Sequence, residues 1–216
     1  MMYLSIKYFV MGQTQVKNDK LSIAEWLEQE QSEGVRYEYH NGEVFAMAGG
    51  TLKHTVISGN AYRLLENNFI DKDKDCQAFI SELKIEISKE GRYVYPDTLA
   101  VCGKVEESQS VPGAILNPVL VIEVTSKSSE AYDRDGKFHF YTSLPSVKQY
   151  MIVSQAGPFV TLYNRDPESG LFDPPFIEVR GLEGTIDLFS VGYQMPMQEL
   201  YRKITFDKSD RFLYSV

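Results

Sequence analysis

The stretch Tyr93-Val94-Tyr95-Pro96-Asp97-Thr98-Leu99-Ala100-Val101-Cys102, with its sequel Pro118-Val119-Leu120-Val121-Ile122-Glu123-Val124-Thr125, decides how this chain is read. Each is an apolar run of strand character carrying one carboxylate where a plain core strand has Val or Leu. Alternation places Tyr93, Tyr95, Asp97, Leu99 and Val101 on one face of the first run. The same rule puts Val119, Val121, Glu123 and Thr125 on one face of the second. A carboxylate held unpaired in such a setting costs roughly several kcal/mol unless it is neutralised or bound to a cation. If the strands are neighbours, the two acids converge, and a divalent metal is the economical partner. The 26-residue spacing from Asp97 to Glu123 excludes a tight turn and fits adjacent strands joined by a longer connection.

At 216 residues, with 43% hydrophobic and 24% charged residues, the chain suits one soluble domain with a sizeable core. Its apolar runs are strand-sized and too short to span a membrane. The apolar start, Met1 to Met11, is interrupted by Lys7 and lacks the features of a signal peptide. Residues 1–20 are expected to form a flexible extension, with Met11 as an alternative start, and residues 21–216 a single domain. Cys76 and Cys102 read as isolated cysteines without metal-type spacing, which fits a reducing cytoplasm. A net charge of -8 and a pI near 5.0 argue against nucleic-acid binding through a broad basic surface. The segment from Glu123 to Lys148 is balanced in charge.

Outward from the two acidic runs, Leu21 to Glu30 reads as an amphipathic helix capped by Ser22. Val35 to Tyr39 and Glu43 to Met47 flank His40-Asn41-Gly42, a strong hairpin signal. Gly49-Gly50 marks a helix entry, with Thr51 capping a helix to about Asn68; no lysine accompanies it, so it is not a phosphate loop. Cys76 to Ile87 reads as one strand and Ser128 to Tyr141 as a helix stopped before Pro145. Lys148 to Ser154, Phe159 to Asn164, Phe176 to Val179 and Thr185 to Leu188 read as strands, followed by an amphipathic stretch from Met197 to Ile204. His40 and His139 lack zinc-ligand spacing, and no Gly-x-Ser-x-Gly elbow is present.

This order, with certain residues within it, resembles the PD-(D/E)XK nuclease superfamily, and more closely its Uma-type family of restriction endonucleases. The resemblance rests on Tyr37-Glu38-Tyr39-His40-Asn41-Gly42-Glu43-Val44-Phe45-Ala46-Met47, and on His54 with Ile57 and Asn60. It continues through Pro96-Asp97, Ile122-Glu123-Val124, and Asp133-Arg134-Asp135-Gly136-Lys137 leading into Tyr141. It implies an α/β fold with a restriction-endonuclease-like core: a mixed central β-sheet flanked by helices, an N-terminal helix and hairpin, and additional C-terminal strands. It further implies hydrolysis of DNA phosphodiesters dependent on Mg²⁺ (or Mn²⁺), with Asp97 and Glu123 as metal ligands.

The superfamily's lysine, two residues past the glutamate, is here Thr125. Lys127 lies further on, and Lys137 matches the Uma-type pattern, so Lys137 is the expected catalytic lysine. His54, in water activation or phosphate contact, and Glu43, as a third acid, complete the candidate set; Glu82 is an outside candidate. The ordinary readings are a turn-side Asp97, a helix-start hydrogen bond for His54, and an exposed pair of Lys137 with Asp133 worth about 0.3–0.5 kcal/mol. A homodimer is expected because duplex cleavage needs two centres. Two other readings stand beside the nuclease: a catalytically silent interaction module, and a metal hydrolase of a small phosphorylated molecule.

Overall fold

The computed structural model describes residues 14–15, 20–47, 49–87, 91–126, 129–172 and 174–206. Most of the expected N-terminal extension, and Lys127, lie outside these residues. The elements in order are β1 (Thr14–Gln15), α1 (Ile23–Glu33), β2 (Tyr37–His40), β3 (Glu43–Ala46), α2 (Leu52–Asp71), β4 (Cys76–Ile80) and β5 (Lys84–Ile87). Next come β6 (Arg92–Val94), β7 (Thr98–Cys102), β8 (Ala114–Ile115), β9 (Leu120–Thr125), α3 (Glu130–Tyr132), a π-helical turn (Asp133–Lys137) and α4 (Phe138–Thr142). The chain closes with β10 (Gln149–Ser154), β11 (Phe159–Asn164), β12 (Ile177–Arg180), β13 (Thr185–Leu188), β14 (Tyr193–Pro196) and α5 (Met197–Leu200). No helix among the described residues is long and apolar enough to cross a membrane.

The fold is mixed α/β, and its strands fall into two six-stranded mixed sheets rather than one. The first runs β1-β3-β2-β6-β5-β8 and the second β12-β11-β10-β9-β7-β4, with β13-β14 as a separate hairpin. Two runs expected as single strands are therefore each divided between sheets. Tyr93 to Cys102 breaks at Tyr95-Pro96-Asp97, because Pro96 cannot donate to a ladder and restricts the residue before it. Cys76 to Ile87 breaks at Ser81-Glu82-Leu83, a turn between β4 and β5. Asp97 thus stands at the corner where the chain passes from one sheet to the other.

Local chemistry accounts for the entries to these elements. Ser22 and Glu25 form a reciprocal capping box on α1, and Thr51 caps α2. Asn41 and Gly42 both take positive φ (52° and 98°), the primed turn that matches strand twist. In the second sheet, Ala100, Leu120, Ile122 and Val124 pack beneath α2 and the C-terminal hairpin. Leu99, Val101, Val121, Tyr150 and Ile152 face the other way, against Ile85, Ile87 and Val94 of the first sheet and Tyr141. Glu123 shares the parity of Val121, so its carboxylate enters the space between the sheets.

Cys76 and Cys102, expected to stand apart, are paired residues of β4 and β7 and are joined as a disulfide. The antiparallel register that aligns the strands sets them face to face, so they no longer argue for a reducing compartment.

Candidate functional site

The β7–β9 register pairs Thr98 with Ile122. Continued one step, it sets Asp97 opposite Glu123, and directly opposed residues point to the same face. Asp97 Oδ2 accepts the Val124 N–H at 2.7 Å and lies 3.0 Å from His54 Nε2. His54 sits in the first turn of α2, where the Thr51 hydroxyl accepts its backbone N–H. A Cβ on Gly50 would stand 2.6 Å from His54 Nδ1, so the glycine leaves the room the imidazole occupies.

Glu123 Oε1 accepts from Lys137 Nζ at 2.9 Å and from the Tyr141 hydroxyl at 2.6 Å. Lys137 Nζ also lies 3.2 Å from the Tyr95 carbonyl oxygen and 3.2 Å from Glu38 Oε1. The lysine is only 6% exposed, which removes the reading of it as half of a solvated pair with Asp133. The π-helical turn carries Lys137 inward, and such turns recur at functional sites. Gly136 permits it: a Cβ there would lie 2.6 Å from Cδ2 and 2.7 Å from Cε2 of the Tyr132 ring. That ring is buried and its hydroxyl donates to Glu38 Oε2 at 2.8 Å. Gly136→Ala is therefore expected to destabilise the fold by about 1–3 kcal/mol despite alanine's better helix propensity. Urea unfolding checks this, and an unchanged or raised midpoint counts against the packing.

The cluster gathers Asp97, Glu123, Lys137 and His54. Glu43 is not among them; it is exposed at the hairpin, paired across the ladder with His40. Glu82 is exposed too and pairs with Arg36 at 3.4 Å. Sequence reasoning missed Glu38, which is 0% exposed, and gave Asp133, 4% exposed, only a surface role.

Electrostatics dominate the site. Burial pushes the Glu123 carboxyl well above its ordinary value, with Lys137 pulling it back and Asp97 and Asp133 adding to the rise. Burial likewise raises Asp133, against the pull of Lys137 and of hydrogen bonds from Thr125 and Ser129. For Lys137 burial works against the charge, but Glu123, Glu38 and Asp133 outweigh it and hold the ammonium well above its usual range. Burial also opposes charge on His54, and Asp97 overcomes it, so the imidazole is raised.

Among the described residues, no three His, Cys, Asp or Glu side chains form a ready-made metal cage. The donor set suits a cation that keeps much of its water, as Mg²⁺ does, binding through one or two carboxylates plus a substrate phosphate. No described residue donates to Asp97 Oδ1 or Glu123 Oε2. The approach is from the Asp97 side: the His54 side chain is 24% exposed and that of Asp97 10%, against 4% for Glu123.

The model of the Uma2 family, described as "Putative restriction endonuclease", matches residues 23–198. An uncharacterized protein of Synechocystis sp., slr1290, is 32% identical over 87% of this chain and 94% of its own. A second from the same organism, sll1609, is 29% identical over 62% of this chain and 75% of its own. The crystal structure of "a putative nuclease belonging to DUF820" from Anabaena variabilis superposes with a TM-score of 0.62 at 12% identity, covering 78% of this chain and 90% of the other. That likeness is one of fold.

Proposed function

This chain belongs to the Uma2 family of restriction-endonuclease-like proteins, and from that premise we propose that it hydrolyses DNA phosphodiester bonds with the help of Mg²⁺ or Mn²⁺. One observation carries the reading. Glu38, Asp97, Glu123 and Asp133 are all at most 8% exposed, and the only buried ammonium among them is Lys137. Four acids around one lysine and a half-buried histidine leave negative charge in a low-dielectric space, which a protein tolerates when a cation completes the site.

Asp97 and Glu123 would hold that cation through Oδ1 and Oε2. When bound, it would polarise the phosphate and lower the pKa of an attacking water. Lys137, kept protonated by its acidic neighbours, would offset charge developing on the phosphorane or orient the water. His54, at the more open side beside Asp97, would hold the incoming water or a phosphate oxygen. Val124 N–H fixes Asp97, and Tyr141 fixes Glu123, so both ligands are oriented before substrate arrives.

Net negative charge and the missing strand lysine both favour a silent module, and the buried Lys137 beside Glu123 weighs against the second of these. Cleavage of both duplex strands would take two copies, and the protein's place would be the cytoplasm, with the DNA. Supercoiled plasmid with about millimolar Mg²⁺ or Mn²⁺ is expected to be nicked and linearised, with chelation stopping the reaction. Intact plasmid and intact short duplexes under both metals would leave the silent module as the better reading.

A further inference from the structure

Glu38 is the most deeply buried acid of the cluster, yet it does not fit the role of a metal ligand. Both its oxygens are taken: Oε1 accepts the Tyr95 N–H at 3.4 Å and forms an ion pair with Lys137 Nζ at 3.2 Å. Oε2 accepts the Tyr132 hydroxyl at 2.8 Å, with His40 Nε2 at 3.6 Å. Asp97 and Glu123, by contrast, each keep one oxygen to which no described residue donates. Three elements hold Glu38 in place: β2 carries it, the Tyr95 amide follows β6, and Tyr132 is locked over Gly136.

Lys137 Nζ has three oxygens at 2.9–3.2 Å, two as hydrogen-bond acceptors and Glu38 Oε1 as an ion-pair partner, and only one of the three belongs to Glu123. The other two, Glu38 and the Tyr95 carbonyl, draw it toward the first sheet. We propose that Glu38 is a positioning residue that holds part of the Lys137 charge away from Glu123, leaving Glu123 negative enough to bind the catalytic cation. Without that second carboxylate, the ammonium closes on Glu123 as a one-to-one ion pair, and the ligand is neutralised before a cation arrives. This inference rests on Asp97 and Glu123 being the metal-binding pair.

Calorimetric titration with Mn²⁺ of the wild type, Glu38→Gln, Lys137→Met and the double variant tests it. Glu38→Gln is expected to raise the Mn²⁺ Kd about 10- to 100-fold, the cost usual for an outer partner of a metal ligand. In the Lys137→Met background the same substitution is expected to change Kd by less than about twofold, since its effect runs through the lysine. An equal loss in both backgrounds overturns the proposal, because Glu38 then acts as a ligand or as scaffold; so does an unchanged Kd with Lys137 present. A wild type that takes up no Mn²⁺ removes the metal-binding pair itself, and the inference falls with it. Should Glu38→Gln fail to fold by circular dichroism, Tyr132→Phe takes away one hold on Glu38. It is expected to weaken Mn²⁺ binding in the same direction by a smaller factor, and an unchanged affinity overturns the proposal.

Discussion

Lys137→Met is expected to lower the stability of the metal-free protein by about 3–5 kcal/mol at neutral pH, the cost of breaking a buried ion pair and leaving its partner charged. Methionine keeps most of the lysine stem, so the loss isolates the charge rather than the packing. The pH dependence has a definite sign. Burial first, with Asp97 and Asp133 adding, raises the folded-state Glu123 carboxyl well above 4.5, and Lys137 is what restrains it. Removing the lysine raises it further. An acid whose folded pKa exceeds its unfolded value holds a proton that the unfolded chain releases. Its stability is full below the unfolded value near 4.5 and lost as pH rises through the folded one. The variant is therefore expected to regain stability as the pH is lowered from neutral toward the unfolded value near 4.5. Denaturant unfolding across that range measures it. An unfolding free energy equal to the wild type's, or one that falls on acidification through the window, contradicts the charge balance.

The second large effect concerns the acids themselves. Asp97→Asn keeps an oxygen for the Val124 N–H, and Glu123→Gln keeps one for Tyr141, so each substitution removes charge with little change of shape. DNA cleavage is expected to fall about 100- to 1,000-fold in each, the scale of losing one transition-state charge stabiliser. For Asp97→Asn the metal-free stability is expected to hold or rise, since one of the crowded acids is gone and, on the proposed function, its charge serves activity. The two classes of variant thus move stability in opposite directions. A plasmid-cleavage assay with thermal melting reads both, and full activity in either acid variant removes it from the site.

Much of this site is legible in the sequence because its residues break a pattern. Pro96-Asp97 interrupts an apolar run, and Glu123 follows one whose neighbours all demand burial. Lys137 is legible only through its place after Asp133-Arg134-Asp135-Gly136, since an ordinary α-helical turn would pair it with Asp133 at the surface. The π-helical turn, which Gly136 allows beneath the Tyr132 ring, has no periodicity to betray it.

Glu38 is hidden for a different reason. Tyr37-Glu38-Tyr39-His40 alternates as a strand with one solvated face would, and Tyr37 and Tyr39 do pack with Trp26 and Tyr93. The opposite face is covered as well, by Tyr132 and Lys137, which follow Glu38 by about a hundred residues. Glu43 on the same hairpin presents the same residue type and stays outside; what separates the two is which edge of the ladder the rest of the chain folds over. The number of sheets was equally illegible, because β6 and β7 run on in sequence and only the corner at Pro96 assigns them to different partners.

Calorimetric titration of the wild type and of Asp97→Asn with Mg²⁺ and Mn²⁺, in the absence of DNA, addresses the central claim most directly. Uptake of a divalent ion by the wild type, lost in Asp97→Asn while the melting curve shows the variant folded, is the predicted result. Absence of uptake by the wild type, or equal uptake by both proteins, contradicts the account.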